Sequence, residues 1–168
     1  VYAAQLAAVL SWMFLLEGES VGALTFSGQI DEFIQSRSRR EQFWRILRLL
    51  ESAPWGPDTE AANTLRELGE RLPPKSLVFL ITDAFDLVAD DRGELSASPL
   101  TAITRQLKKQ GHHLVVLHVL DPQELDFPFD ELSLFEGLEG EESIQLDPES
   151  VRQAYLDEMQ QFCQSLQH

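Results

Sequence analysis

Apolar residues recur along this chain with the spacing of helices in some stretches and of strands in others. From Leu6 to Leu16 they return every three or four positions, which predicts a first helix that Gly18 ends. Val21 to Phe26 is a short run rich in β-forming residues, and the apolar positions within 30–34 predict its antiparallel partner. The pattern therefore predicts a helix followed by a hairpin.

Two further helices are predicted after the hairpin. Ser38 and Glu41 form a capping-box pattern at the start of the second helix, because the serine can accept from a first-turn amide while the glutamate reaches back. Pro54 predicts the end of that helix. The third helix is predicted from an apolar stripe that ends before two consecutive prolines: Ala61, Leu65, Leu68 and Leu72.

Two strongly apolar runs follow and carry the fold prediction. Ser76–Thr82 and His113–Leu120 are nearly unbroken apolar runs, typical of strands buried on both faces of a parallel sheet. Ser98 and the proline after it predict the start of the helix between them. A short edge strand is predicted at Ser143–Leu146, and a last helix begins after Asp147. This alternation predicts an α/β fold with a three-layer sheet and right-handed crossovers.

Size and charge narrow the functional classes. The 168 residues fit one domain. Lys and Arg number 13 against 28 Asp and Glu, so the net charge of −15 repels phosphate backbones and anionic lipid. We therefore expect no nucleic-acid partner and no membrane contact from this segment. The single cysteine, Cys163, forms no intrachain disulfide, and a cytoplasmic location is expected.

The charge is unevenly distributed along the chain. Five arginines lie between Arg37 and Arg48, whereas residues 121–158 hold thirteen acidic residues and one base, Arg152. A charge run is commonly a solvated face. In so acidic a protein, an arginine cluster also suits contact with an acidic partner or with the acidic segment. The candidate partner-binding residues are Arg37, Arg39 and Arg40.

Two patterns resemble catalytic or metal sites, and simpler interpretations are preferred for both. Residues 18–22 match the G-x-S-x-G string of α/β-hydrolases, but that serine requires a strand followed by a helix, and here the order is reversed. His112 and His113 point to opposite faces of a strand, which leaves only His112 and His118 on one face. We therefore expect an ordinary turn at Ser20 and structural or surface histidines.

The aspartates carry more information. Asp83 follows the first core strand, where open α/β sheets bind their ligands, and Thr59 lies in the loop that opens the third helix. A carboxylate and a hydroxyl are the oxygen ligands that Mg²⁺ prefers. The alternative is that Thr59 caps its helix and Asp83 begins a turn. The residues alone leave both interpretations open.

Three strings occur in an order typical of a known family: Glu19–Phe26, Leu77–Asp83 and Gly111–Pro122. Over nearly its whole length the chain resembles the von Willebrand factor type A-like proteins grouped as domain of unknown function fifty-eight. The resemblance implies a Rossmann-like sheet, mostly parallel with an antiparallel edge hairpin. It also implies, in complete members, a metal-ion-dependent adhesion site, of which Thr59 and Asp83 match two elements.

The first element of that site, an Asp-x-Ser-x-Ser loop after the first central strand, does not occur in the sequence. Val1 falls in the helix that would follow the loop. We therefore expect residues 1–168 to be a single von Willebrand factor A-like domain that is incomplete at its N-terminus and lacks its first central strand. A divalent cation such as Mg²⁺ is expected only in the complete domain.

The resemblance further implies partnership with MoxR-type AAA+ ATPases in assembly or maturation. The leading expectation is a non-enzymatic protein-interaction module. One alternative is a metal-assisted hydrolase that uses Asp83, Asp86 and Asp121 near the strand ends. The other is a metal-independent scaffold that makes its contacts through the arginine cluster and the acidic segment.

Overall fold

The computed structural model describes residues 1–26, 30–53, 67–85, 98–129, 133–135, 144–146 and 148–166. The elements in chain order are α1 (Tyr2–Leu16), β1 (Val21–Phe26), β2 (Ile30–Arg37), α2 (Glu41–Ser52), β3 (Leu77–Thr82), α3 (Pro99–Lys109), β4 (His113–His118), α4 (Pro122–Asp126), β5 (Ser133–Phe135), β6 (Ile144–Leu146) and α5 (Pro148–Ser165). Residues 67–71 are also helical.

The described strands form pairs rather than one continuous sheet. β1 and β2 pair antiparallel, β3 and β4 pair parallel, and β5 and β6 pair antiparallel. The parallel register runs from Leu77 opposite His113 to Thr82 opposite His118. The mixed α/β class, the hairpin and the parallel core pair are therefore confirmed.

The main core lies between β3 and α3. Val78 and Leu80 are buried in one cluster with Ile103 and Leu107, while the ring of Phe79, on the other face of β3, lies 5.5 Å from that of Phe14 in α1. Successive residues of the strand thus face different helices. The hairpin packs against the same cluster through three half-buried side chains, Leu24, Phe26 and Phe33. Burial of the strand is not complete, because its first residue is half exposed.

A second core joins the hairpin to α2. Ile46 is fully buried, and it packs with Ile34 and Leu49. The capping box predicted for this helix is wrong: the N-cap is Arg40, and no side chain caps the first turn. The helix begins two residues later than the pattern predicts, so Ser38 is not the N-cap, and the amides of Gln42 and Phe43 donate to the backbone carbonyl oxygens of residues 39 and 40.

The other helix boundaries follow local signals. Ser98 Oγ accepts from the amide of Thr101 at 3.2 Å at the start of α3. α1 and α3 end at Gly18 and Gly111, whose φ angles of +84° are accessible to glycine without strain. The predicted last helix and the edge strand over 144–146 are present as α5 and β6. Asp147 lies outside the described residues, as does the predicted third helix before residue 67.

Candidate functional site

The carboxyl ends of β3 and β4 form one edge of the parallel pair, and Asp83 is the first residue beyond β3 at this edge. The two strands remain together there, since the amide of Val119 donates to the carbonyl oxygen of Thr82 at 3.0 Å. Asp83 is exposed. The position predicted for Asp83 from the sequence is therefore correct: it lies at the edge where open α/β sheets bind ligands.

The loop after β3 is held by groups other than the Asp83 carboxylate. The Ala84 amide donates to Thr82 Oγ1 at 3.0 Å, and His118 Nε2 donates to the Asp83 carbonyl oxygen at 2.9 Å. Ala84 is almost fully buried with φ +64°, a conformation that only surrounding contacts can impose on a residue with a side chain. The fixed loop displays the carboxylate toward solvent.

Aromatic packing supports the same loop from α5. The ring of Phe162 stacks on that of Phe85 at 4.9 Å and meets the His118 imidazole edge-on at 5.5 Å. His118 thus connects β4, the Asp83 loop and α5. Its contribution was missed in the sequence, because the contacts join residues 35 and 44 positions away along the chain.

Among the described residues, the Asp83 carboxylate has one hydrogen-bond partner, and that bond is weak. Its Oδ1 accepts from the amide of Phe85 at 3.4 Å, a long hydrogen bond of the Asx-turn type. Among the residues that the structure describes, Asp83 makes no ion pair. An exposed carboxylate fits one position in the coordination of a hard cation, which takes one or two carboxylates and keeps several waters. The other expected ligand, Thr59, lies outside the described residues, as does Asp86.

Asp121, three residues beyond β4, has a structural role. Its carboxylate accepts from the amide of Gln123 at 2.9 Å, and Glu124 accepts from the Asp121 amide at 2.7 Å. The Asp121 side chain also accepts from the Glu124 amide, and the two reciprocal bonds between Asp121 and Glu124 make the capping box of α4. The carboxylate is therefore engaged at a helix start, which weakens the hydrolase alternative that needs it at the metal.

The histidines are not brought together. His112 is buried just before β4, and its Nδ1 accepts from the amide of Ser76 at 3.2 Å. His118 ends the same strand, about 20 Å away at 3.3 Å per residue. Within the described ranges no group of three or more metal-binding side chains occurs. His112 therefore serves the packing of β3 against β4.

An apolar groove lies beside the Asp83 edge. It has a volume of about 490 Å³ and is lined by His118, Leu120, Leu125, Cys163 and Leu166. Cys163 is half-buried on α5 and packs in the groove wall as a small apolar side chain. The groove was not predicted, since its walls come from β4, α4 and α5.

The arginine cluster is exposed. Arg37, Arg39, Arg40 and Arg48 all face solvent, and Arg45 donates to Gln42 Oε1 at 3.2 Å. Within the described parts of the chain the single ion pair joins Arg71 and Glu67, so the cluster is not neutralised there. All seven acidic residues of 130–147 lie outside the described residues.

The serine of the G-x-S-x-G string lies between α1 and β1. A helix precedes Ser20 and a strand follows it. This is the reverse of the strand-to-helix turn that exposes a hydrolase nucleophile. The predicted ordinary turn is confirmed.

Comparison with known families assigns the chain. The family model described as "Protein of unknown function DUF58" matches residues 1–163. The chain belongs to the DUF58 family. Neither the comparison with curated proteins nor that with solved structures gives a match for this DUF58 chain. Among its described helices, none combines the length and the apolar character needed to cross a membrane.

Proposed function

We propose that this DUF58 chain is a protein-interaction module that binds a partner carboxylate through a divalent cation held by Asp83. The proposed partner is a MoxR-type AAA+ ATPase in the cytoplasm, as the family resemblance implies. The observation that carries the proposal is the exposed Asp83 carboxylate on a loop that other groups hold in place. A loop built in this way keeps its shape whether or not the carboxylate binds a ligand.

The charge of the chain gives the cation a specific purpose. With a net charge of −15, the protein repels an acidic partner. The repulsion is strongest where the Asp83 carboxylate would face the carboxylate of the partner at short distance. A divalent cation, when bound, supplies positive charge that both carboxylates share. Asp83 would contribute one oxygen ligand, and Thr59 is proposed as a second protein ligand.

The proposed architecture is a three-layer von Willebrand factor A-type sheet. α1 contacts both β1 and β3, and side chains of the hairpin pack on the β3 core, yet the two strand pairs share no ladder. A strand that precedes α1 would fit between the pairs and join them. Amide hydrogen exchange on the full-length protein tests this, since such a strand should protect amides of β1 and β3 that are otherwise unpaired.

A pull-down with the ATPase tests the cation-dependent contact. The variant Asp83→Asn removes the charge and keeps an oxygen that can accept from the Phe85 amide. Asp157→Asn is the matched control, because this exposed aspartate on α5 also accepts a side-chain hydrogen bond, from Gln153 at 2.8 Å. We expect wild type and Asp157→Asn to bind in Mg²⁺ and to be released by EDTA, whereas Asp83→Asn binds in neither buffer.

Three results would contradict the proposal. Equal binding of Asp83→Asn and wild type in Mg²⁺ would remove Asp83 from the interface. Binding that survives EDTA but falls steeply with salt would favour the metal-independent scaffold, since exposed charge pairs are screened by ions. Mg²⁺-dependent turnover in a phosphatase and esterase screen, lost in Asp83→Asn, would favour the hydrolase.

A further inference from the structure

A stripe of exposed apolar side chains runs along α1. Tyr2 and Val9 are 65% and 63% exposed, and Met13 and Leu16 are about half exposed. At 100° per residue these four positions fall within about 60° of one another, and they span about 21 Å of helix. They form one straight apolar ridge.

The ridge points away from the sheet. Ser11 and Leu15 are buried on the opposite side of α1, and Phe14 beside them contacts Phe79 of β3. A strand added beside β3 would therefore meet the buried side of α1 and leave the ridge uncovered. Completion of the sheet does not account for this surface.

The apolar surface continues onto α2. The ring of Trp12 lies 4.8 Å from that of Phe43, which lies 5.7 Å from that of Trp44. Trp44 is 63% exposed. Arg40 and Arg48 stand four residues before and after it, and residues with that spacing share a helix face. An exposed tryptophan is thus flanked by two exposed arginines at the border of the ridge.

The charge of this face is opposite to that of the whole chain. The outer side of α2 carries three arginines and two glutamates: Arg40, Arg45, Arg48, Glu41 and Glu51. Two further arginines, Arg37 and Arg39, lie just before the helix. In the described ranges none of these arginines makes an ion pair. Tryptophan, tyrosine and arginine are the residues that most often dominate binding energy at protein interfaces.

We infer that this α1–α2 face binds an amphipathic helix of a partner protein, whose apolar stripe is bordered by aspartate and glutamate. A straight ridge about 21 Å long suits packing against a helix of similar length. The arginines beside it complement an acidic border. The net charge of −15 disfavours binding to an anionic membrane. A second copy related by a two-fold axis is disfavoured as well, because the two arginine-rich edges would face and repel each other. This contact requires neither Asp83 nor a cation.

Fluorescently labelled synthetic helices test the inference. Three peptides of about 18 residues, or about five turns, are compared by anisotropy: one with a leucine stripe bordered by glutamate, one with the same stripe bordered by lysine, and one with the glutamate composition but no stripe. We expect the glutamate-bordered stripe to bind, with an affinity that falls with salt and does not change with EDTA. The other two peptides should not bind.

Exposed residues serve as variants, so the fold is preserved, and circular dichroism confirms it. Trp44→Ser should weaken peptide binding about thirtyfold and Arg48→Glu about tenfold. The matched controls are Leu77→Ser, which removes an apolar side chain exposed elsewhere, and Lys108→Glu, which reverses an exposed helical cation. Both controls should bind as wild type does.

Five results would overturn the inference. The first four are equal binding of all three peptides, binding of none, unchanged affinity in Trp44→Ser and Arg48→Glu, and a dimer in sedimentation that Trp44→Ser dissociates. Binding to anionic vesicles without binding of the glutamate-bordered peptide would likewise overturn it. Loss of the Asp83 contact with the ATPase would not overturn the inference, because the two surfaces are tested with different variants and buffers.

Discussion

The variant Gln42→Met removes the hydrogen bonds that hold α2 against the hairpin. Gln42 is only 2% exposed, and its Nε2 donates to the carbonyl oxygens of Val21 at 3.0 Å and Gln35 at 2.8 Å. Arg45 donates to its Oε1 and thereby fixes the orientation of the amide. The two acceptors lie on different strands, next to the shift in pairing between Val21 and Ala23. One side chain therefore links three elements.

The expected loss of stability follows from these contacts. Methionine fills a similar volume, so the change acts through hydrogen bonding rather than through a cavity. Leaving a buried acceptor without its donor costs about 1–3 kcal/mol. Because both bonds are only partly buried, the lowest part of that range applies, about 1–1.5 kcal/mol for each bond, and the two together give about 2–3 kcal/mol. In a chain of this size the melting temperature should fall by about 4–12 °C.

Urea denaturation followed by circular dichroism measures the effect. The matched control is Gln160→Met on the exposed side of α5, which should change the free energy of unfolding by less than about 0.5 kcal/mol. Gln42→Glu should cost more than Gln42→Met, because a carboxylate oxygen would face carbonyl oxygens. Identical urea midpoints for Gln42→Met and wild type would refute the role assigned to this side chain.

Two further predictions concern the hairpin and α5. Gly22→Ala should destabilise the protein by about 1–3 kcal/mol in urea titrations, because the new Cβ would lie 2.7 Å from the carbonyl oxygen of Ile34, a backbone atom of the paired strand; a midpoint equal to that of wild type would contradict this. Burial raises the pKa of the Tyr155 phenol above its ordinary value of 10.0, and the charge of Glu124 adds to the effect. The unfolded chain therefore loses this proton first, so stability is unaffected below about pH 10 and falls as the pH rises through the folded-state pKa. Tyr155→Phe should make that alkaline loss shallower in urea titrations at several pH values, and an unchanged slope would argue against it.

Helix boundaries could be predicted where one local signal decides them. Ser98 caps α3, and Gly18 and Gly111 end α1 and α3, because each acts through its own backbone or side chain. The start of α2 could not be predicted in this way, because the N-cap is Arg40, which makes no side-chain cap, and the first-turn amides of Gln42 and Phe43 donate to backbone carbonyl oxygens. The burial of Gln42 was also missed, since a polar residue in a helix is expected to face solvent unless strands with free carbonyls lie beside it.

The candidate site was predictable only in part. The position of Asp83 follows from the end of an apolar strand, which is a local pattern. The roles of His118 and Phe162 depend on contacts between residues far apart in the chain, and the sequence contains no signal for them. Asp121 has the same local pattern as Asp83, yet a proline and Glu124 after it make it a helix cap. Thr59 stays a prediction.

Affinity for the MoxR-type ATPase, measured by calorimetry with the full-length protein in Mg²⁺ and in EDTA, tests the role of Asp83 most directly. We predict a measurable affinity for wild type and Asp157→Asn in Mg²⁺, its loss in EDTA, and its loss in Asp83→Asn in either buffer. The same affinity for wild type and Asp83→Asn in Mg²⁺ would contradict it.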